Sequence, residues 1–269
     1  MKKLFSVIVV TAAIAGCTTN AVTGRKQLSL FPESALQTEA VSQYQSFLSQ
    51  SKVVASTASK DAEMVKRVGS RIANAITTYY KKNPTLSSEL KDYKWEFNLV
   101  DNKEVNAWCM PGGKVVVYTG LLPITQNEAA LSIVLGHEIT HAVAHHGNER
   151  MSQGALAQGL QVAGDIFTQN KSQANALFNS VFAPTAQIAV LLPNSRNQEY
   201  EADHYGLIFS AMAGYNPREA ISFWQRMAAA GGGNKPPEFL ATHPSDQNRI
   251  AKLESYMNEA LSYYRPVNK

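Results

Sequence analysis

Two cysteines in 269 residues are too few to staple a domain, so the chain has to fold on its hydrophobic core alone. Charged residues are sparse too, at 17% against 45% hydrophobic, which excludes a disordered, self-repelling chain. No basic run exceeds isolated pairs such as Lys81-Lys82, and the formal charge is only +4. Nucleic-acid binding needs a concentrated basic face, so no nucleic-acid partner is expected. The apolar stretch Leu4–Ile14 falls short of the roughly 20 residues a membrane-spanning helix requires. An internal repeat of roughly 30–50 residues is also missing, which excludes a helical-repeat array. At this length the chain still has ample interior for a buried cleft.

What is present begins with an export-type segment. Lys2 and Lys3 precede the apolar stretch, which closes on Ile14-Ala15-Gly16-Cys17. That ending resembles a bacterial lipobox, which implies removal of residues 1–16 and lipidation of Cys17. Loss of Lys2 and Lys3 leaves 23 basic residues against 21 acidic. Several acyl chains anchor a protein stably where one does so only marginally. Thr18, not Asp, follows the cysteine, which favours an outer membrane. The expected location is a bacterial cell envelope, lipid-anchored and periplasm-facing. With Cys17 acylated, Cys109 has no partner. Residues 17–32 read as the lipidated cysteine and a polar tether, and 33–269 as the folded domain.

From Glu33 to Lys82 the pattern is helical, with Val65, Val68, Ile72, Ile76 and Tyr79 on one stripe that Asn83-Pro84 stops. Tyr93, Trp95, Phe97 and Leu99 alternate with polar residues as a half-buried strand. Strands at Val105–Cys109 and Val115–Thr119 flank the turn signal Met110-Pro111-Gly112-Gly113, making a small antiparallel meander. Helix resumes at Thr125, which forms a capping box with Glu128, and Gly147 is its expected C-terminal cap. Residues 150–192 read as a helical hairpin. Further helices follow at Ser195–Ala213, from Asn216-Pro217 to Ala230, and from a Ser245 cap to Tyr263. The expected fold is α+β, mostly helical with one small antiparallel sheet.

His137-Glu138-Ile139-Thr140-His141 carries the chemistry. Positions four apart share a helix face, so both imidazoles reach a single ion. Zinc accepts such nitrogens and tolerates a tetrahedral site with one corner left for water. Glu138, about 100° further round, is placed to act as a general base rather than a ligand. The metzincin pattern is excluded because Ala144 and Gly147 stand where it needs Gly and His. His145 lies two turns from His137, about 12 Å along the axis, so His145 and His146 read as exposed helix-end residues. Glu199 and Asp203, four apart on a later helix, offer one ligand carboxylate and one that braces an imidazole. Glu201 competes for the first role but faces away from Glu199.

These features resemble the Ste24/HtpX family of zinc metallopeptidases, its periplasmic BepA/LoiP lipoprotein branch most of all, with a mitochondrial relative beside it. The resemblance runs from Asn106 to Arg249. It rests on Asn106-Ala107, Pro111-Gly112-Gly113 and Thr119-Gly120-Leu121-Leu122, then His137–His141, Glu199–Asp203, and His243-Pro244 with Arg249. It implies a zincin-like (gluzincin) metallopeptidase domain with one Zn²⁺ held by His137, His141 and Glu199. Glu138 is then the catalytic base, Asp203 the bracing carboxylate, and His243 a catalytic-site histidine that approaches the zinc or the oxyanion. The substrate would lie as an added strand along the sheet edge. The implied function is hydrolysis of misfolded or misassembled envelope proteins. A chaperone-like assembly factor with a latent metal site is the alternative.

Overall fold

The computed structural model of the protein describes residues 16–158, 171–183, 195–231, 237–243 and 248–266. The apolar stretch Leu4–Ile14, the middle of the expected 150–192 hairpin, and Pro244 with Ser245 lie outside them. No helix among the described residues is long and apolar enough to cross a membrane.

A short hairpin, β1 (Cys17–Thr19) and β2 (Lys26–Leu28), opens the chain. Helix α1 (Glu33–Gln50), the two-residue β3 (Val53–Val54) and α2 (Lys60–Lys82) follow. The sequence explains α2 well. Ser59 caps it by accepting from the Ala62 amide, acidic residues open it, and Lys81 and Lys82 close it in the sense its dipole favours. Its stripe of Val65, Val68, Ile72 and Ile76 is fully buried, whereas Tyr79 is exposed and Tyr80 takes the inward place.

Strands β4 (Glu96–Val100), β5 (Ala107–Met110) and β6 (Lys114–Tyr118) join β3 in the order β3-β4-β6-β5. The sheet is mixed and not the expected antiparallel meander. β4 and β6 run parallel, and β5 turns back through Gly112 and Gly113, whose φ of 78° and 82° only glycine adopts freely, to form the free edge. Both faces are covered. Leu99, Val115 and Val117 face the main core beneath α2, while Trp108, Val116 and Tyr118 face a second core built on α1. The half-buried reading of the strand around β4 holds, with Tyr93, Trp95 and Phe97 partly buried against the main core, Leu99 fully buried, and Lys94 and Glu96 exposed. The cover on the second face, from residues 31–48, Met151, Ala155 and residues 174–182, is remote in sequence.

After the short α3 (Leu122–Thr125), α4 (Glu128–Val143) runs through the centre, and every residue from Ala130 to Val143 is buried. Its cap is Asn127, whose side chain accepts from the Ala130 amide; Thr125 ends the preceding turn instead. Nor does Gly147 end it. His145 adopts a left-handed φ of 53°, and α5 (His146–Ala157) starts at once in a new direction. Then come α6 (Lys171–Phe182), α7 (Ser195–Met212), α8 (Glu219–Ala230), α9 (Glu238–Thr242) and α10 (Arg249–Tyr263).

Helices α4 and α7 cross at Gly136 and Gly206. A methyl on Gly136 would lie 2.6 Å from the Gly206 carbonyl oxygen, so only glycine permits this approach. Ser132 and Ser210 hydrogen-bond across the same seam. Residues 17–32, expected as a tether, are held against the domain. Asn20 donates to the Ala144 carbonyl at 2.5 Å, the Leu30 amide donates to Ser152 at 2.9 Å, and Asn148 donates to the Phe31 carbonyl at 2.8 Å.

Gly136→Ala should therefore cost about 1–3 kcal/mol of stability through overpacking, read as a lowered urea midpoint. Gly154→Ala, whose nearest neighbour would be the Leu177 side chain at 3.5 Å, should be neutral or stabilising in the same assay.

Candidate metal centre

The crossing decides where the chemistry meets. One residue beyond Gly136 comes His137; one turn and two turns back from Gly206 along α7 come Asp203 and Glu199. α9 delivers His243 from the C-terminal side, its amide bonded to the Phe239 carbonyl and its ring stacked on the buried Phe239. The ligand atoms of His137, His141, Glu199 and His243 all lie within 4.8 Å of one another, and all four residues are buried.

The finer distances test whether a metal fits. His137 Nε2 is 3.1 Å from His141 Nε2 and 3.3 Å from Glu199 Oε2, and His141 Nε2 is 3.4 Å from Glu199 Oε1. A tetrahedron with bonds of 2.0–2.1 Å has edges of about 3.3–3.4 Å, so the two nitrogens and the Glu199 carboxylate, one oxygen toward each ring, are spaced as the ligands of one ion would be. Two imidazole nitrogens and a carboxylate, converged in a buried site, are a donor set that a shared divalent cation satisfies. His243 Nδ1 completes the set, 3.2 Å from His137 Nε2 and 3.1 Å from Glu199 Oε2.

The outer nitrogens are fixed as well. With Nε2 turned inward, His137 Nδ1–H donates to Asp203 Oδ1 at 3.0 Å. Arg249 holds the same oxygen at 2.7 Å while its guanidinium lies 3.4 Å over the Trp224 ring. His141 Nδ1 meets His146 Nδ1 at 2.9 Å, and His146 Nε2–H donates to Glu201 at 2.9 Å. Arg25 of the N-terminal hairpin bridges Glu201 and Glu149, each at 2.7 Å. Burial holds His141 well below its ordinary range, in the neutral state a ligand needs. Burial alone would raise Glu199, but His243 and His141 outweigh it and keep the carboxylate ionised.

Glu138 stands apart from the ligand set. Its Oε1 has no hydrogen-bond partner and lies 3.3 Å from His243 Nε2, and burial pushes its carboxyl up to about 7. It lines a cleft together with His141, His243 and the β5 residues Trp108 and Met110. The space there is about 70 Å³, enough for a few waters and not for a peptide.

Every residue singled out from the sequence for this centre is thus brought together here. Glu201 faces away from the ligand set, as its helical phase requires, yet supports it through His146. Two readings need correcting. His146 is fully buried, and His145 is only 14% exposed, 3.1 Å from Glu33 and 3.4 Å from Glu89. The break after α4 turns both rings inward, and nothing in the local pattern announces that break. Arg25, His146 and Arg150 were missed for the same reason, since each acts through a partner more than 40 residues away or beyond a chain reversal.

A profile of Peptidase family M48 matches residues 59–257, which includes each of these ligands. The chain belongs to that family. The mitochondrial metalloendopeptidase OMA1 of Schizosaccharomyces pombe is 36% identical over 175 residues, covering 64% of this chain and 50% of that protein. OMA1 of Arabidopsis thaliana is 37% identical over 183 residues, covering 67% and 36%. The beta-barrel assembly-enhancing protease of Escherichia coli is 29% identical over 171 residues, covering 61% and 35%. The aligned region spans half or less of each of these M48 relatives. The comparison overturns the expected location. Mitochondrial members match at higher identity than the bacterial protease, so similarity points to the mitochondrial group and not to a bacterial envelope. It does not single out the BepA/LoiP branch either, since both kinds of M48 protein match.

If His146 orients His141, His146→Ala should weaken zinc binding about ten- to a hundredfold, measured by competition with a chromophoric chelator, with the far-ultraviolet circular dichroism unchanged.

Proposed function

We propose that this M48 protein is a zinc-dependent endopeptidase that hydrolyses peptide bonds in unfolded or misassembled proteins. The observation that carries the reading is Glu138, a buried carboxylate with a free oxygen beside three converged ligand atoms and facing a cleft. A purely structural metal site, as in a chaperone-like assembly factor, has no use for such a group. Names borne by relatives, metalloendopeptidase and assembly-enhancing protease, agree with it.

His137, His141 and Glu199 would hold the metal, one zinc per chain, and Asp203 and His146 would fix the two rings. Zinc, when bound, supplies Lewis acidity toward the scissile carbonyl. Glu138 accepts the proton of the attacking water and delivers it to the leaving nitrogen, and a carboxyl held near 7 suits both transfers. β5, with its outer backbone edge unpaired within the sheet, offers the substrate an added strand. Such pairing reads backbone, which any unfolded segment presents. His243 Nδ1 stands among the ligand atoms, 3.2 Å from His137 Nε2 and 3.1 Å from Glu199 Oε2, where the attacking water would compete with it. His243 therefore acts as a gate, and α9 has to move before cleavage.

Two measurements test this. Glu138→Gln should keep stoichiometric zinc and lose about 10²–10⁴-fold in cleavage of an unfolded protein such as reduced casein; full activity in that variant would refute the base assignment. His243→Ala should cleave severalfold faster than the wild type, whereas a slower variant would assign His243 to transition-state stabilisation instead.

A further inference from the structure

Arg150 lies on α5 and lines the cleft with Glu138, His141, Thr242 and His243. The other arginines beside the centre are neutralised, Arg25 by Glu149 and Glu201, and Arg249 by Asp203. Arg150 forms no ion pair with a carboxylate among the described residues, and its Nε is buried without a hydrogen-bond partner. Among the described residues its side chain makes one hydrogen bond, Nη2 at 3.1 Å from His141 Nδ1.

That contact does not survive a working centre. With His141 Nε2 among the ligand atoms and holding a metal, Nδ1 would carry the proton that goes to His146, and a guanidinium has only donors to offer it. Arginine cannot relieve the mismatch by losing its charge. Nor do the nearby carboxylates pair with it: Glu149 is held by Arg25, Glu199 would hold the metal, and Glu138 lies 3.3 Å from His243 Nε2. Among the described residues the cleft is thus lined by a guanidinium with no carboxylate partner.

We infer that Arg150 is a carboxylate receptor, so that the endopeptidase read above selects segments with an acidic side chain close to the scissile bond. The planar fork of the guanidinium matches a carboxylate in two-point contact, which neither a neutral amide nor a lysine reproduces. This selectivity would sit on top of the backbone pairing at β5, turning a tolerance for any unfolded segment into a preference among them.

The test is a set of peptides in which one Glu is walked along both sides of the scissile bond, each paired with its Gln counterpart. With the wild-type protein, kcat/KM should favour Glu at one position by about tenfold. In Arg150→Gln that ratio should fall to near one whatever the absolute rate, and Arg150→Lys should recover only part of it. A ratio of one in the wild type, or a preference that persists in Arg150→Gln, would overturn the inference. So would a preference confined to a free over an amidated C-terminus, which would make the chain end the ligand. Binding decides independently of turnover. Glu138→Gln protein, titrated with the same pairs by fluorescence anisotropy, should hold the Glu peptide about tenfold tighter, and equal affinities would refute the assignment. If no peptide is cleaved by the wild type yet this binding preference appears, the endopeptidase reading fails and the receptor stands.

Discussion

The close crossing of α4 and α7 is the constraint on which the centre depends. His137 and Glu199 are 62 residues apart in the chain, and their meeting is set by two glycines whose backbones touch. Any side chain at Gly136 or Gly206 would push the helices apart, and ligand atoms spaced 3.1–3.4 Å from one another leave no slack for that. Small residues at the seam are thus a geometric requirement of the metal-binding arrangement as much as of the core. A mutation there would reach the chemistry without touching a ligand.

Burial then raises the cost of every error. Four acidic side chains, four imidazoles and three guanidiniums gather around the largely buried centre, where an unmatched charge is costly. The structure meets this by pairing groups in chains instead of isolated couples: His137 to Asp203 to Arg249, and His141 to His146 to Glu201 to Arg25. Each chain ends on an arginine, which cannot lose its proton and so fixes the polarity of the whole series. The groups outside these chains, Glu138 and Arg150, are the ones that face the cleft.

Features set by short-range periodicity were legible in the sequence. The apolar stripe of α2, the length of α7 and the i, i+4 pairs His137/His141 and Glu199/Asp203 follow from helical geometry alone, and the structure bears out the elements and the clustering. Features set by distant partners were not. The parallel pairing of β4 with β6 depends on β5 crossing to the edge, which alternation in three strands cannot reveal. His146 carries no local mark of burial, because the left-handed turn at His145 that redirects the chain occurs at a residue with no glycine's licence for it. Arg25 sits in a polar segment that reads as a tether until Glu149 and Glu201 are seen opposite it.

Arg25 also gives the two ends of the chain a common fate. A nascent polypeptide that has not yet reached residue 199 can hold the N-terminal hairpin together with His137 and His141, yet lacks the Glu199 ligand and the Glu201 carboxylate that links His146 to Arg25. A translation product that stops short of α7 therefore has no finished centre. Ligation chemistry thus waits on an element made roughly sixty residues after the histidine pair.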